Sequence, residues 1–184
     1  TPFFLFLTPT APHFPTIPAP RHVDRFAGLG VPRSPAFNEA DTSDKPRWVR
    51  AVPKLSGDKI AQLDSLYRRQ AEMLLAVDEM IGALVETLVS TGELNNTYFV
   101  FTSDHGLHSG EHQLSKMKLT PYAVTSQVPL IIRGPGVPEG AVRDELVLNT
   151  DIAPTLAGLA GAPVPEFVDG RTLEPLWEQE APAW

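Results

Sequence analysis

The chain has 184 residues, 42% hydrophobic and 20% charged, the balance of a globular protein with one sizeable core or a share of a larger one. A formal net charge of -7 argues against nucleic acid as a partner, since no basic surface is there to neutralise phosphates; an anionic substrate would need a local cation or metal. Cysteine is absent, which removes disulfides, thiol nucleophiles and thiolate metal sites and leaves the redox compartment open, and no apolar run approaches the roughly 20 residues of a membrane span.

Thr1-Pro2-Phe3-Phe4-Leu5-Phe6-Leu7 has no initiator Met and no basic stretch before its apolar run, so it makes a poor signal peptide. It reads as an interior strand of a longer protein, and the chain is taken as a fragment. Residues 3–7 are expected to be a strand, closed by a loop whose Pro9, Pro12 and Pro15 enforce extended backbone. His13 sits in that loop, a position more often filled by an ordinary surface histidine. Residues 16–55 form a proline-rich connection carrying Arg21, Arg25, Asp41, Asp44 and Lys45; long connections of this kind are functional or wrap the surface.

From Gly57 to Thr91 the apolar residues Ile60, Leu63, Tyr67, Leu74, Val77, Ile81, Leu84 and Leu88 recur at helical spacing, with a polar break at Gln70. Ser56 is placed to cap this helix, Asp58 suits the positive end of its dipole, and Gly92 is placed to stop it. One face is expected to pack on a sheet, with its Met and Leu residues as core. Asn95-Asn96-Thr97 matches a glycosylation pattern but adjoins a strand over 97–102. A second strand is expected over 128–133, entered at Pro129, and a short one over 145–148. Asn149-Thr150-Asp151 leads into a helix from Ile152 to Leu159 with Pro154 in its first turn, Gly161 ends it, and the tail to Trp184 is loop-like. Strands alternating with helices predict an α/β fold with a largely parallel sheet and flanking helices.

The chemistry gathers behind the 97–102 strand, in Ser103-Asp104-His105-Gly106 and the polar loop after it. Ligand sites in open α/β sheets lie past the carboxyl ends of strands, where Asp104 and His105 are candidate metal ligands. A hard cation prefers the carboxylate, whereas the histidine is more usual for zinc or manganese. An ordinary Asp-Gly turn is the alternative. Glu111 and His112 share the loop without a helical spacing that would tie them to Asp104. Lys116 and Lys118 are candidates to grip a sulfate or phosphate oxygen, against the commoner solvated lysine. No Ser-His-Asp order, glycine-rich phosphate loop or zinc-hydrolase signature is present, and nothing marks Ser34 as a nucleophile. The residues alone therefore point to a metal and oxyanion site that lacks its nucleophile.

The run TSDHGLHSGEHQLSKMKLTPYAVTSQVPLIIRGPG, together with PFFLFLTPTAPHFP, NTYFVFTSDHG and TDIAPTLAGLAG followed by Asp169-Gly170-Arg171, closely resembles the sulfatase family of the alkaline-phosphatase-like superfamily. The look is closest to arylsulfatases and N-acetylglucosamine-6-sulfatases. The resemblance implies that residues 1–184 are the C-terminal half of a catalytic domain built as an alkaline-phosphatase-like sandwich. It implies Asp104 and His105 as two ligands of a calcium ion, His105 standing where many sulfatases carry Asn. It further implies Lys118 as the sulfate-binding lysine, with Lys116 as competitor, and His13 as the histidine beside the leaving oxygen. The family's nucleophile is a formylglycine made in a Cys/Ser-x-Pro-x-Arg motif, which is expected, with two further metal aspartates, in an N-terminal half not contained here. The implied reaction is hydrolysis of a small-molecule or glycan sulfate ester by the full-length protein, with the fragment inactive and a secreted or periplasmic setting. A phosphoryl or phosphonate ester hydrolase, a non-catalytic anion-binding relative and a purely structural module remain as alternatives.

Overall fold

The structure, a computed structural model, describes residues 2–178; the loop-like reading of the last residues to Trp184 lies outside them. Two compact units are present, one formed by the chain up to Gly92 together with His105–Val128, the other by Glu93–Asp104 and the chain from Pro129 onward.

The first unit holds α1 (Arg47–Arg50), the long α2 (Gly57–Ser90) and the single-turn α3 (Ala123–Ser126). Helix α2 begins where the capping signals predict, the Ser56 hydroxyl accepting from the Lys59 amide at 3.3 Å, and it ends at Gly92, whose φ of +76° is unfavourable for other residues. Of the apolar stripe read from the sequence only Leu63 is buried and Leu74 is exposed; the other buried residues of α2 are Leu66, Glu72 and Met73. Within the unit the proline-rich connection lies against α2. Extended, proline-broken backbone leaves amides and carbonyls without ladder partners, and polar side chains of the helix take them. Asp64 accepts from the Val31 amide at 2.9 Å, Arg68 donates to the Leu29 carbonyl at 3.3 Å, and Gln70, the predicted break, donates to the Pro12 carbonyl at 3.3 Å. Arg33 pairs with Asp64 at 2.7 Å and Arg21 with Glu79, so the connection is pinned by charge as well. Val31, Val49 and Leu114 complete this small core.

The second unit contains β1 (Phe99–Thr102), β2 (Leu130–Arg133), α4 (Ile152–Leu159) and α5 (Pro175–Glu178). Its α/β character is as expected, but the two strands pair antiparallel, Phe99 opposite Arg133 and Thr102 opposite Leu130. Parallel neighbours need a crossover, usually a full helix, and the segment between these strands offers only the single turn α3. The expected strands at 3–7 and 145–148 are absent. No neighbouring strand completes a hydrogen-bond ladder there, and Phe4, Phe6 and Leu146 are 73%, 77% and 82% exposed. The predicted helix at 152–159 is α4. The buried Asp151 carboxylate at its start accepts from the Leu148 amide at 2.8 Å and the Arg171 amide at 3.0 Å. That second bond ties the Asp169-Gly170-Arg171 segment to the helix start, while the Thr155 hydroxyl accepts from the Leu173 amide at 2.9 Å.

Candidate active site

Asp104 stands at the end of β1 with an exposed side chain, 3.5 Å from the Ser103 hydroxyl. Its backbone is steadied by Asn149, whose side-chain amide donates to the carbonyls of Ser103 at 3.0 Å and Asp104 at 3.4 Å. Sequence reasoning took Asn149 only as a lead into α4; a contact spanning so long a separation leaves no local spacing signal. His105 is half-buried, and its Nδ1 lies 3.0 Å from the Gly106 carbonyl. A carbonyl can only accept, so Nδ1 carries the hydrogen and the lone pair of the neutral ring falls on Nε2. That tautomer suits a metal-ligating imidazole.

The loop after Gly106 is closed on itself. The His108 amide donates to the Met117 carbonyl and the Lys116 amide to the His108 carbonyl, both at 2.9 Å, with a bridge between Ser109 and Ser115. At its centre the His108 ring is fully buried, its Nε2 2.9 Å from the Thr120 hydroxyl, which in turn lies 2.9 Å from the Thr125 hydroxyl at α3. His112 binds Glu39 through Nδ1 at 2.6 Å and lies 4.5 Å, centroid to centroid, from the Tyr122 ring. These histidines are structural: they fix the loop that presents Lys116 and Lys118. Their partner Glu39 lies in the remote connection, so spacing could not reveal the pair.

Burial pushes the His108 pKa below its ordinary value of about 6.5; neighbouring His112 adds to this and Glu111, 3.9 Å away, opposes it. A depressed pKa means that the unfolded chain takes up the proton first. The contribution of His108 to stability is therefore full above about pH 6.5 and is lost as pH falls below that value toward the folded-state pKa. Denaturant midpoints of the full-length protein measured from pH 8 to pH 5 are expected to drop more steeply in the wild type than in His108→Gln. Parallel profiles would contradict the assignment.

His13 is exposed in its turn, its amide donating to the Thr10 carbonyl at 2.7 Å and its Nδ1 3.0 Å from the Phe14 carbonyl. The Lys116 ammonium lies 5.0 Å from the centroid of the Phe14 ring, so the loop brings Lys116 beside the residue next to His13. Lys118 is exposed and makes no hydrogen bond or ion pair among the described residues. His13, His105, Lys116 and Lys118 belong to the first unit and Asp104 to the second, the boundary falling at the peptide bond after Asp104. Among the described residues no group of three His, Cys, Asp or Glu side chains is arranged to hold a metal.

Comparison with known proteins bears on this arrangement. The sulfatase family model matches residues 1–162. The chain is 39% identical to sulfatase ppz1 of Metarhizium majus, an alignment covering 94% of this chain and 42% of that protein. It is 36% identical to the human N-acetylglucosamine-6-sulfatase, covering 95% of this chain and 32% of the relative. It thus spans between about a third and two fifths of the length of these curated relatives. A protein solved in complex with its substrate D-glucosamine-2-N,6-O-disulfate superposes with a TM-score of 0.63 at 36% identity, over 69% of this chain and 26% of that one. A phosphonate monoester hydrolase from Silicibacter pomeroyi superposes with a TM-score of 0.64 at 30% identity, over 82% of this chain and 29% of its own. With the match running through the His13 turn, the Asp104-His105 strand end and the lysine loop, the chain belongs to the sulfatase family.

Proposed function

We propose that this chain is the C-terminal part of the catalytic domain of a sulfuric ester hydrolase, and that the full-length protein hydrolyses the sulfate ester of a small molecule or glycan. The observation that carries this reading is the family match over residues 1–162. The likeness to a glucosamine sulfatase and to a protein that binds a disulfated glucosamine favours sulfated amino sugars within that class. The parallel sheet of the sandwich is proposed for the full-length protein, in which the exposed residues 3–7 would gain strand neighbours.

In this reading Asp104 and His105 are two ligands of a calcium ion. The exposed carboxylate fits that role as a hard oxygen donor, whereas the His105 Nε2 is a softer donor, more usual on zinc or manganese. The ion would supply positive charge against the sulfate oxygens, and a formylglycine outside this stretch the attacking hydroxyl. Lys118 places a compact ammonium on a sulfate oxygen and stabilises the charge that builds up there as the ester bond breaks. His13 would act as the imidazolium: with Nδ1–H held by the Phe14 carbonyl, it donates the Nε2 proton to the departing alkoxide and is left neutral.

Calorimetric titration of the full-length protein with calcium is expected to show at least a tenfold weaker affinity in Asp104→Ala than in wild type, since a hard cation loses a charged oxygen ligand. Equal binding in both would remove Asp104 from the site. The phosphonate monoester hydrolase likeness favours a second reading on the same residues. Profiling the full-length protein on 4-nitrophenyl sulfate and on a phenyl phosphonate ester separates the two by which ester turns over faster.

A further inference from the structure

Beside the His13 turn lies an open groove of about 330 Å³, lined by Phe14, Gln62, Ser65, Leu66, Arg69 and Lys116, all in the first unit. Its helical wall is set by periodicity: Gln62, Ser65, Leu66 and Arg69 stand at i, i+3, i+4 and i+7 on α2, along one face. The opposite wall is Phe14 with Lys116 above its ring.

Three features mark the groove as a binding surface. It presents two cations and no carboxylate, although the chain as a whole carries a net charge of -7. The Arg69 side chain makes no hydrogen bond or ion pair among the described residues, and the Lys116 ammonium has only the Phe14 ring, so among those residues neither charge has an acidic partner. Lys116 also occupies left-handed backbone at φ +58°, unusual for a residue with a side chain, and is held there by its amide bond to the His108 carbonyl. Retained backbone strain of this kind gathers at functional positions.

The geometry points to a subsite for a second anionic group, a sulfate or carboxylate carried by a sugar at a position other than the ester being cleaved. Arg69 and Lys116 would take the anion, the Phe14 face would lie against the ring carbons, and Gln62 and Ser65 would meet hydroxyl groups. This deepens the sulfatase reading and rests on it for the nature of the sugar. It also gives Lys116 a task distinct from that proposed for Lys118.

Sucrose octasulfate serves as the probe, its affinity for the full-length protein read by calorimetry, where no turnover is needed. Hydrolysis of 4-nitrophenyl sulfate by the wild type tests the sulfatase reading separately. Arg69→Gln/Lys116→Gln is expected to bind the probe at least tenfold more weakly, and the charge-retaining Arg69→Lys/Lys116→Arg to recover to within about threefold of wild type. Lys54→Gln/Lys59→Gln, two charges removed elsewhere on the same unit, is expected to change affinity less than twofold. Unchanged binding in the first variant, or equal weakening in the Lys54/Lys59 control, overturns the subsite.

Discussion

Replacing Lys118 by alanine in the full-length protein is expected to lower kcat/KM for a sulfate ester by about 10²–10³-fold, the loss seen when one fixed donor to a developing oxyanion is removed. Lys118 has no hydrogen-bond or ion-pair partner among the described residues, so the substitution orphans nothing and the melting temperature should hardly move. The kinetic loss can then be read as lost transition-state stabilisation, not as lost fold. Arginine at this position is expected to restore little, because a planar fork presents its charge differently from a compact ammonium. Lys116→Ala serves as the internal comparison. Its backbone is tied to His108 and its ammonium to the Phe14 ring, so its effect should fall mainly on KM for a multiply charged substrate. Near-wild-type kcat/KM in Lys118→Ala, with the large loss in Lys116→Ala, would exchange the two roles.

The features legible in the sequence are those set by local rules. Helix α2 was readable because its apolar spacing, its Ser56 cap and its Gly92 stop act within a few residues of one another. The start of α4 was readable for the same reason. The pairing of β1 with β2 was not, because two apolar strands carry no mark of direction; the connection between them decides it, and here that connection has no crossover helix. Residues 3–7 show the limit from the other side. Phe3, Phe4 and Phe6 have the composition of a strand, yet a strand exists only where a neighbour completes its ladder. At the candidate site, Asp104, His105, Lys118 and His13 could be singled out from motif and resemblance. Glu39 and Asn149 could not, since each acts on the site through a contact far away in sequence. The burial of His108 follows only from the closure of its loop, which no local spacing reveals.

Gly106, the third residue of the Asp-His-Gly motif, carries the second large prediction. A Cβ added there would lie 2.0 Å from the Val124 carbonyl oxygen and 3.1 Å from the Thr125 Cα, while the Gly106 amide already donates to the Thr125 carbonyl at 2.9 Å. The obstacle is backbone, held by α3 and its threonine network, so no side-chain rotation relieves the clash. Gly106→Ala is expected to destabilise the full-length protein by about 3 kcal/mol, the upper range for overpacking, read as a lower denaturant midpoint at unchanged slope. Gly82→Ala is the matched control. That glycine sits inside α2, where an added Cβ meets nothing within 4 Å, so the same change is expected to stabilise by about 0.5–1 kcal/mol through helix propensity. A midpoint in Gly106→Ala equal to wild type would mean that the approach of α3 to the motif is looser than described. The opposite signs expected at the two positions separate the general value of alanine in a helix from the requirement for a bare α-carbon beside His105. Because the Gly106 carbonyl also accepts from His105 Nδ1, any shift that relieves the clash should disturb the imidazole and weaken the calcium binding proposed for it along with stability.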